Sequence, residues 1–293
     1  MKKFAFLLII ALLLGMVCGC VSSKEPVQIA ATTLPVYEFT SRICQGTGIS
    51  VGQLVTDNVS CLHEYSLQVS QMRMIESAQV VVVSGLGLES FLDDALIPDK
   101  KVIDASEGIS PICLEDAHEA HHNHGHSHEE DPHIWLSPAN AKIMAQNICN
   151  QLSSLYPDHK AIFSENASLL YNELDTLASY GEESLSSLKT TALITFHDGF
   201  AYFADSFGLT ILEAMEEESG REASAAQLKE LITLVKQQHL PAVFVEINGS
   251  VSAADVIAAE TGCKVYPLDM AMSGDSYFDS MYYNIDIIKE ALG

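Results

Sequence analysis

Three histidines and one aspartate occupy positions from which a folded chain could bring metal-binding side chains together. They are His63, His133, His197 and Asp269, and they are separated along the chain by 70, 64 and 72 residues. His197 and Asp269 each end a short apolar run that predicts a β-strand, His63 follows another, and His133 precedes a predicted helix start. Ligands of open α/β sheets bind at the carboxyl ends of the strands. Three imidazoles and one carboxylate form a four-coordinate set that suits Zn²⁺.

A second group of histidines lies in one polar segment before His133. Its members are His118, His121, His122, His124, His126 and His128. Histidine-rich tracts are typical of proteins that handle metal ions. Residues 118–122 also match the HExxH pattern of zinc proteases, with Glu119 as the general base. That pattern needs a regular helix, which a polar, glycine-containing tract does not predict, so an exported zinc hydrolase is the less favoured alternative.

The N-terminus has the features of an export signal. Lys2 and Lys3 precede an apolar run at residues 4–14 that is too short to span a bilayer comfortably. The run leads into residues 17–20, Val-Cys-Gly-Cys, which resemble a bacterial lipobox with Cys20 as the lipidated residue. We therefore predict a signal peptide at residues 1–19, a lipidated cysteine and tether at residues 20–26, and a location on the extracytoplasmic face of the cell membrane. A cleaved signal with a soluble product is the alternative.

Charge and cysteine content narrow the function further. Without residues 1–19 the chain has 13 basic and 39 acidic residues, a net charge of −26. This balance argues against nucleic-acid binding and is compatible both with the attraction of cations and with a plain acidic surface, between which charge alone does not choose. Five further cysteines, an odd number, leave at least one thiol unpaired, and their spacing matches no zinc-ribbon pattern. Their disulfide pairing stays open; they are Cys44, Cys61, Cys113, Cys149 and Cys263.

The alternation of short β-branched runs with longer helical patterns predicts an α/β fold of two lobes. Each lobe is expected to be a mostly parallel four-stranded sheet flanked by helices. The predicted strands are residues 27–32, 49–55, 79–84, 101–104, 192–196, 209–213, 242–246 and 264–267. The predicted helices are residues 34–44, 66–77, 88–95, 138–155, 199–207, 225–238, 253–261 and 277–292.

One long helix is expected to join the two lobes. The predicted N-terminal lobe covers residues 27–156 and contains the histidine-rich loop at residues 115–131. The connecting helix covers residues 157–189, about 45 Å at 1.5 Å per residue for some 30 residues, and the C-terminal lobe covers residues 190–293. Three acidic residues beside the candidate ligands are expected to orient the ligand imidazoles; they are Glu64, Asp198 and Glu246.

Several motifs together resemble a known family. The chain looks like a zinc/manganese substrate-binding lipoprotein of an ABC transporter, the cluster A-I solute-binding family. The motifs are Leu62-His63-Glu64-Tyr65, Gly85-Leu86-Gly87-Leu88-Glu89, Val102-Ile103-Asp104, Asp131-Pro132-His133-Ile134-Trp135, Phe196-His197-Asp198-Gly199-Phe200 and Phe244-Val245-Glu246.

The resemblance implies a specific architecture and function. It implies a metal ion held between two lobes by His63, His133, His197 and Asp269, and a mobile histidine-rich loop that collects or senses zinc. The partners would be a membrane permease and its ATPase, and the chain would be anchored to the membrane through its lipid. We expect it to be a monomer, and we do not expect it to be an enzyme. An adhesin is a further alternative.

The third ligand position bears on the choice of metal. In manganese-type members of the family this ligand is usually glutamate, whereas the present chain has His197. Replacing an oxygen donor by an imidazole moves the preference towards Zn²⁺. We therefore expect a zinc receptor, with Mn²⁺ or iron as the alternative cargo.

Overall fold

The computed structural model describes residues 27–56, 62, 65–93, 95–96, 100–113, 130–215 and 223–293. Several residues singled out above lie outside the described residues. These are Cys20, Cys61, His63, Glu64, His118, Glu119, His121, His122, His124, His126 and His128.

The described residues form two four-stranded sheets in which all strands run parallel. The predicted α/β class and the eight predicted strands are confirmed. The first sheet has the order β2-β1-β3-β4, and the second repeats it as β6-β5-β7-β8. The strands are β1 (Ile29–Ala31), β2 (Val51–Gln53), β3 (Val80–Val83), β4 (Lys101–Asp104), β5 (Ala192–Thr195), β6 (Thr210–Ala214), β7 (Ala242–Glu246) and β8 (Lys264–Leu268).

Helices flank both sheets and join them. Central parallel strands are covered on both faces, so they are apolar throughout, as the four buried valines of β3 are. Most helix bounds agree with the predictions within a few residues. The helices are α1 (Leu34–Ile43), α2 (Val69–Ser77), α3 (Pro138–Leu155), α4 (Lys160–Leu185), α5 (Ala201–Ser206), α6 (Ala225–Gln238), α7 (Ser252–Thr261) and α8 (Tyr277–Leu292).

The helix predicted at residues 88–95 is wrong in its described part. The structure has a 3₁₀ turn at Ser90–Leu92 in its place. The chain enters it through positive φ angles at Leu86 and Gly87, and the Glu89 side chain folds back to accept hydrogen bonds from Ser84 N and Gly85 N. These backbone bonds hold the segment in a tight turn. Burial raises the pKa of Glu89, although the hydrogen bonds that its carboxylate accepts stabilise the charged form and oppose this shift.

Helix α4 is the long connecting helix. It spans 26 residues, about 39 Å, and follows a 3₁₀ turn at Pro157–His159. It packs against α1 and α3 of the N-terminal lobe and against α8 of the C-terminal lobe. The helix continues through Gly181, and a Cβ at this position would lie 2.1 Å from the ring of Phe207, which occupies that space.

The two lobes share one apolar core. A single cluster of buried side chains runs from Phe39 in α1 through Leu177 in α4 to Phe244 in β7. Smaller clusters fill the far side of each sheet. The lobes are therefore held together by packing along α4 and α8. Within the described ranges, no helix is both long and apolar enough to cross a bilayer.

Four of the five further cysteines lie in the described residues, and each has a free thiol. Cys44, Cys149 and Cys263 are buried, and Cys113 is exposed. Burial, with a smaller contribution from Cys149, raises the pKa of Cys44 to about 12. This thiol therefore stays protonated and unreactive near neutral pH.

The shared core predicts that α4 contributes strongly to stability. Leu177→Ala should lower the free energy of unfolding by about 2–5 kcal/mol, because Leu177 is fully buried and its truncation leaves a cavity. Urea denaturation measures this change. Leu169→Ala on the same helix is the matched control: Leu169 is 64% exposed, so its truncation should cost less than about 0.5 kcal/mol. Equal losses for the two variants would contradict a core that passes through α4.

Candidate metal centre

Two of the predicted ligands, His133 and His197, lie in direct contact. Their Nε2 atoms are 3.5 Å apart and their ring planes are nearly perpendicular, at 84°. His133 precedes a 3₁₀ turn at Ile134–Leu136, and His197 follows β5 at the carboxyl edge of the second sheet. Residues 64 apart in sequence thus direct the same ring atom towards one another.

Asp131 orients the His133 ring. One of its carboxylate oxygens accepts a hydrogen bond from the His133 backbone N–H at 2.9 Å and lies 2.8 Å from His133 Nδ1. Both side chains are almost completely buried. A neutral ring with its proton on Nδ1 therefore donates to Asp131 and leaves the Nε2 lone pair directed at His197.

Tyr202, on α5, holds Asp131 from the opposite lobe. Its hydroxyl donates to the Asp131 carbonyl oxygen and accepts from Ile112 N–H, both at 2.9 Å. Burial raises the pKa of Tyr202 to about 12. The hydrogen bond from Ile112 lowers this pKa, and the charge of Asp131 adds to the increase. The hydroxyl thus keeps its proton and remains a donor.

Glu246 lies against the other nitrogen of His197. Its Oε1 is 3.4 Å from His197 Nδ1, and it ends β7, the strand beside β5. The strand order reverses between β5 and β7, and crevices for ligands open at such points. Asp198 lies on the opposite side of the ring, with Oδ1 3.9 Å from His197 Nε2, a distance too long for a hydrogen bond. The orienting roles of Asp198 and Glu246 stay predictions.

The two Nε2 atoms are spaced as ligands of one tetrahedral ion would be. At Zn–N distances of about 2.0–2.1 Å, two nitrogens around a tetrahedral zinc lie about 3.3 Å apart. The 3.5 Å separation agrees with this value. Each ring also has its other nitrogen close to a carboxylate, the arrangement in which histidine binds zinc.

Asp269 follows β8 and is held in a defined orientation. Its two carboxylate oxygens accept from Ala271 N–H at 2.8 Å and from the Ser280 hydroxyl at 2.7 Å. The Asn284 side chain exchanges two hydrogen bonds with the backbone of Asp269. Asp269 and Glu246 line one cleft, so Asp269 lies at the same edge of the sheet as the Glu246–His197 pair.

The described residues do not complete a metal site by themselves. Among them, no three His, Cys, Asp or Glu side chains are grouped closely enough to hold an ion. The structure brings His133 and His197 together, leaves Asp269 along the neighbouring cleft, and does not describe His63. The four-ligand set stays a prediction.

Residues that sequence reasoning missed shape the contact between the two imidazoles. A Cβ on Gly199 would lie 2.9 Å from His133 Nδ1, 2.9 Å from His197 Cδ2 and 2.5 Å from Met270 Cε. Gly199 therefore lets the backbone lie against both rings. The available sequence signal for Gly199 was its place in the motif after His197, and for Asp131 its place two residues before His133. The role of Tyr202 had no local signal, because it arises from a contact between the lobes.

Two parallel α/β lobes, joined by one long helix and sharing one core, define a class of two-lobed binding proteins. The chain belongs to the ZnuA family, described as the zinc-uptake complex component A, periplasmic, whose family model matches residues 29–291. The resemblance stated from the motifs is thereby confirmed.

Curated relatives of this chain are metal-binding proteins by name. It is 30% identical to the zinc-binding lipoprotein AdcA of Streptococcus pneumoniae over 99% of this chain and 61% of AdcA. The chain thus spans about three fifths of that relative. It is 29% identical to the high-affinity zinc uptake system protein ZnuA of Bacillus subtilis, over 99% of this chain and 98% of that protein. It is 25% identical to the manganese ABC transporter substrate-binding lipoprotein PsaA of Streptococcus mitis, over 100% and 99%.

Solved structures share the fold. A crystal structure of ZnuA superimposes with a TM-score of 0.78 at 29% identity, over 91% of this chain and 100% of that chain. The Zn(II)-bound ZnuA-like domain of AdcA from Streptococcus pneumoniae gives 0.75 at 28% identity, over 92% and 99%. The laminin binding protein of Streptococcus agalactiae, described as having adhesin and metal transporting activity, gives 0.77 over 90% and 99%; at 24% identity this likeness concerns the fold alone.

The contact between Asp131 and His133 predicts a single ring tautomer. In metal-free protein with neutral rings, His133 should carry its proton on Nδ1, because Asp131 accepts it there. Asp131→Asn should shift the ring towards a mixture of tautomers, since an amide can also donate to that nitrogen. Long-range ¹H–¹⁵N NMR correlations of the imidazole distinguish the two forms. His159, on the exposed turn before α4, is the internal control and should not change; an unaltered His133 spectrum would contradict the orienting role of Asp131.

Proposed function

We propose that this chain captures Zn²⁺ outside the cytosol and delivers it to an ABC transporter permease for uptake. The observation that carries the proposal is the pair of His133 and His197 Nε2 atoms 3.5 Å apart, with Asp131 and Glu246 close to the opposite ring nitrogens. Paired imidazoles with this spacing and these partners suit a zinc ion.

The proposed ligand set is His63, His133, His197 and Asp269. The contact between the His133 and His197 rings supports these two ligands. The fixed orientation of Asp269, in the cleft that Glu246 also lines, supports the carboxylate ligand. His63 is included in the set because it lies in the motif Leu62-His63-Glu64-Tyr65, which resembles the family's pattern. Three nitrogens and one oxygen form a closed tetrahedral set without redox chemistry.

Zinc is preferred to manganese as the cargo. The relatives AdcA and ZnuA are named for zinc, whereas PsaA is named for manganese, which makes a manganese receptor the second candidate. Imidazole donors favour zinc, whereas carboxylate and water ligands favour manganese. With three imidazoles in the proposed set, the chain resembles the zinc-type relatives in its chemistry.

The names of the relatives and the N-terminal sequence support the cellular setting of this proposal. A lipid on Cys20 would anchor a monomer to the extracytoplasmic face of the membrane, beside a permease and its ATPase. The six histidines between residues 118 and 128 would bind further zinc weakly and raise its local concentration. No catalytic step is proposed, since the chemistry of capture and delivery needs none.

The test is a metal titration of the purified metal-free chain. Competition with a chromogenic chelator should give one tight zinc site per chain, and His197→Ala should weaken that site by at least a hundredfold, because it removes a ligand. His159→Ala, which removes an imidazole on the turn before α4, is the matched control and should leave the affinity unchanged. Mn²⁺ displacing Zn²⁺ at comparable concentration would favour the manganese receptor, and equal binding by His197→Ala would refute the proposed site.

Gly199→Ala should weaken zinc binding about tenfold or more while leaving the fold intact. The added Cβ would lie within 3 Å of both imidazoles and of Met270 Cε, so the rings must move apart from the spacing that suits one ion. The same chelator competition measures the loss. Gly208→Ala, at the other end of α5, is the control for a glycine substitution, since nothing lies within 4 Å of an added Cβ there. The positive φ of Gly208 affects stability, so the folding of both variants is checked by circular dichroism. Unchanged affinity in Gly199→Ala would show that the ring spacing does not limit binding.

A further inference from the structure

The segment that follows β8 belongs to the C-terminal lobe by sequence but is bonded to the N-terminal lobe. We call residues 269–277 the Asp269 segment. The carbonyl oxygen of Met272 accepts from Leu34 N–H at 3.0 Å, and the carbonyl oxygen of Met270 accepts from Trp135 Nε1–H at 2.7 Å. Two successive parts of the segment are thus fixed to residues at the start of α1 and beside His133.

A second pair of bonds fixes the end of the segment. The Tyr277 hydroxyl donates to the Trp135 carbonyl oxygen at 2.8 Å, and Glu38 on α1 accepts from Tyr277 N–H at 2.7 Å. Burial raises the pKa of Tyr277 well above its usual range, so the hydroxyl remains a donor. Trp135 therefore both donates to the Asp269 segment and accepts from it.

Trp135 is also part of the His133 turn. It is completely buried, it lies two residues after His133, and the two rings meet edge to face with centroids 5.4 Å apart. The peptide that Trp135 holds, at Met270, is the one next to Asp269. The Trp135 side chain thus contacts the proposed ligand His133 and also binds Met270, the neighbour of the proposed ligand Asp269.

Asp269 itself has little freedom within the segment. Its backbone is bonded to Asn284 and its carboxylate to Ser280, both on α8, and to Ala271 N–H. The peptide group whose carbonyl Trp135 binds, between Met270 and Ala271, is also the one whose N–H donates to the Asp269 carboxylate. A displacement of this peptide group therefore moves a hydrogen-bond donor of the carboxylate. The position of the carboxylate relative to His133 depends on the bonds that fix the segment to the N-terminal lobe.

We propose that Trp135 is a positioning residue for metal binding: its Nε1–H, together with the Tyr277 hydroxyl, holds the Asp269 segment in register with His133. The inference rests on the proposed function. Removing the indole N–H leaves the buried Met270 carbonyl oxygen without this donor, which destabilises the observed position of the segment. Trp135 acts through the segment and does not contact the ion.

The experiment compares Trp135→Phe with the wild-type chain in two measurements. Chelator competition should show zinc affinity about tenfold weaker in the variant, the change expected from a buried carbonyl left without its donor. Hydrogen–deuterium exchange of the metal-free protein should show faster amide exchange in peptides covering residues 269–277. Phenylalanine keeps an apolar ring against His133 but provides no N–H.

Two further variants separate positioning from general destabilisation. Tyr277→Phe removes the reciprocal hydroxyl without altering Trp135, and it should also weaken zinc binding and speed exchange in the segment. It serves as well if Trp135→Phe fails to fold. Tyr180→Phe is the matched control, because its hydroxyl joins α4 to Asp286 on α8 away from the segment; it should change neither measurement.

The outcomes distinguish the inference from the proposed function. Weaker binding with unchanged exchange in residues 269–277 overturns the inference, since the effect then passes through His133 alone. Faster exchange with unchanged affinity overturns it too, since the register of the segment would not matter for the ion. If the wild-type chain does not bind zinc, the proposed function and the inference are both overturned. If the wild-type chain binds zinc, and Trp135→Phe and Tyr277→Phe show both weaker binding and faster exchange, both are supported.

Discussion

The approach of two imidazole nitrogens to 3.5 Å is the constraint on which the rest of the site depends. When both rings carry their proton on Nδ1, the two Nε2 lone pairs face one another and repel, so the surrounding structure must hold the rings there. Asp131 and Glu246 lie against the opposite nitrogens, and Gly199, which has no Cβ, lets the backbone lie against both rings. Each of these partners comes from a different element, so the spacing requires the complete two-lobed fold. A cation that accepted both lone pairs would relieve this repulsion, which is why the spacing supports the proposed metal site.

The lobes meet through packing and reciprocal hydrogen bonds. Helix α4 contributes a buried face to a core that includes side chains of both sheets. Beside the site, Tyr202 of the C-terminal lobe holds the Asp131 peptide of the N-terminal lobe, and Trp135 holds the Met270 peptide in the reverse direction. A shared core and crossed bonds oppose large rigid-body rotation of one lobe. Small shifts of loops at the cleft fit this construction better than a hinge.

Periodicity was sufficient for the fold and for part of the site. The eight strands and helices such as Tyr277–Leu292 follow from alternating apolar runs, because local burial determines them. The ends of those strands indicated His197 and Asp269. The 88–95 segment was mispredicted because its turn is stabilised by the buried Glu89 carboxylate, which binds backbone amides that a helical pattern does not reveal. Tyr202 and Trp135 acquire their roles from partners in the other lobe, 71 and 135 residues away, and no local pattern encodes such contacts. The bond between Asp131 and His133, in contrast, lies within one short motif.

Trp135 is the only tryptophan of the chain, and it lies fully buried between the His133 ring and the Met270 peptide. The emission of an indole depends on its immediate surroundings, above all on its hydrogen bond and on any charge beside its ring. The tryptophan fluorescence of the unlabelled protein therefore originates at a single residue, at the junction between the lobes. Indole emission therefore reports on the surroundings of His133 and of the Met270 peptide together.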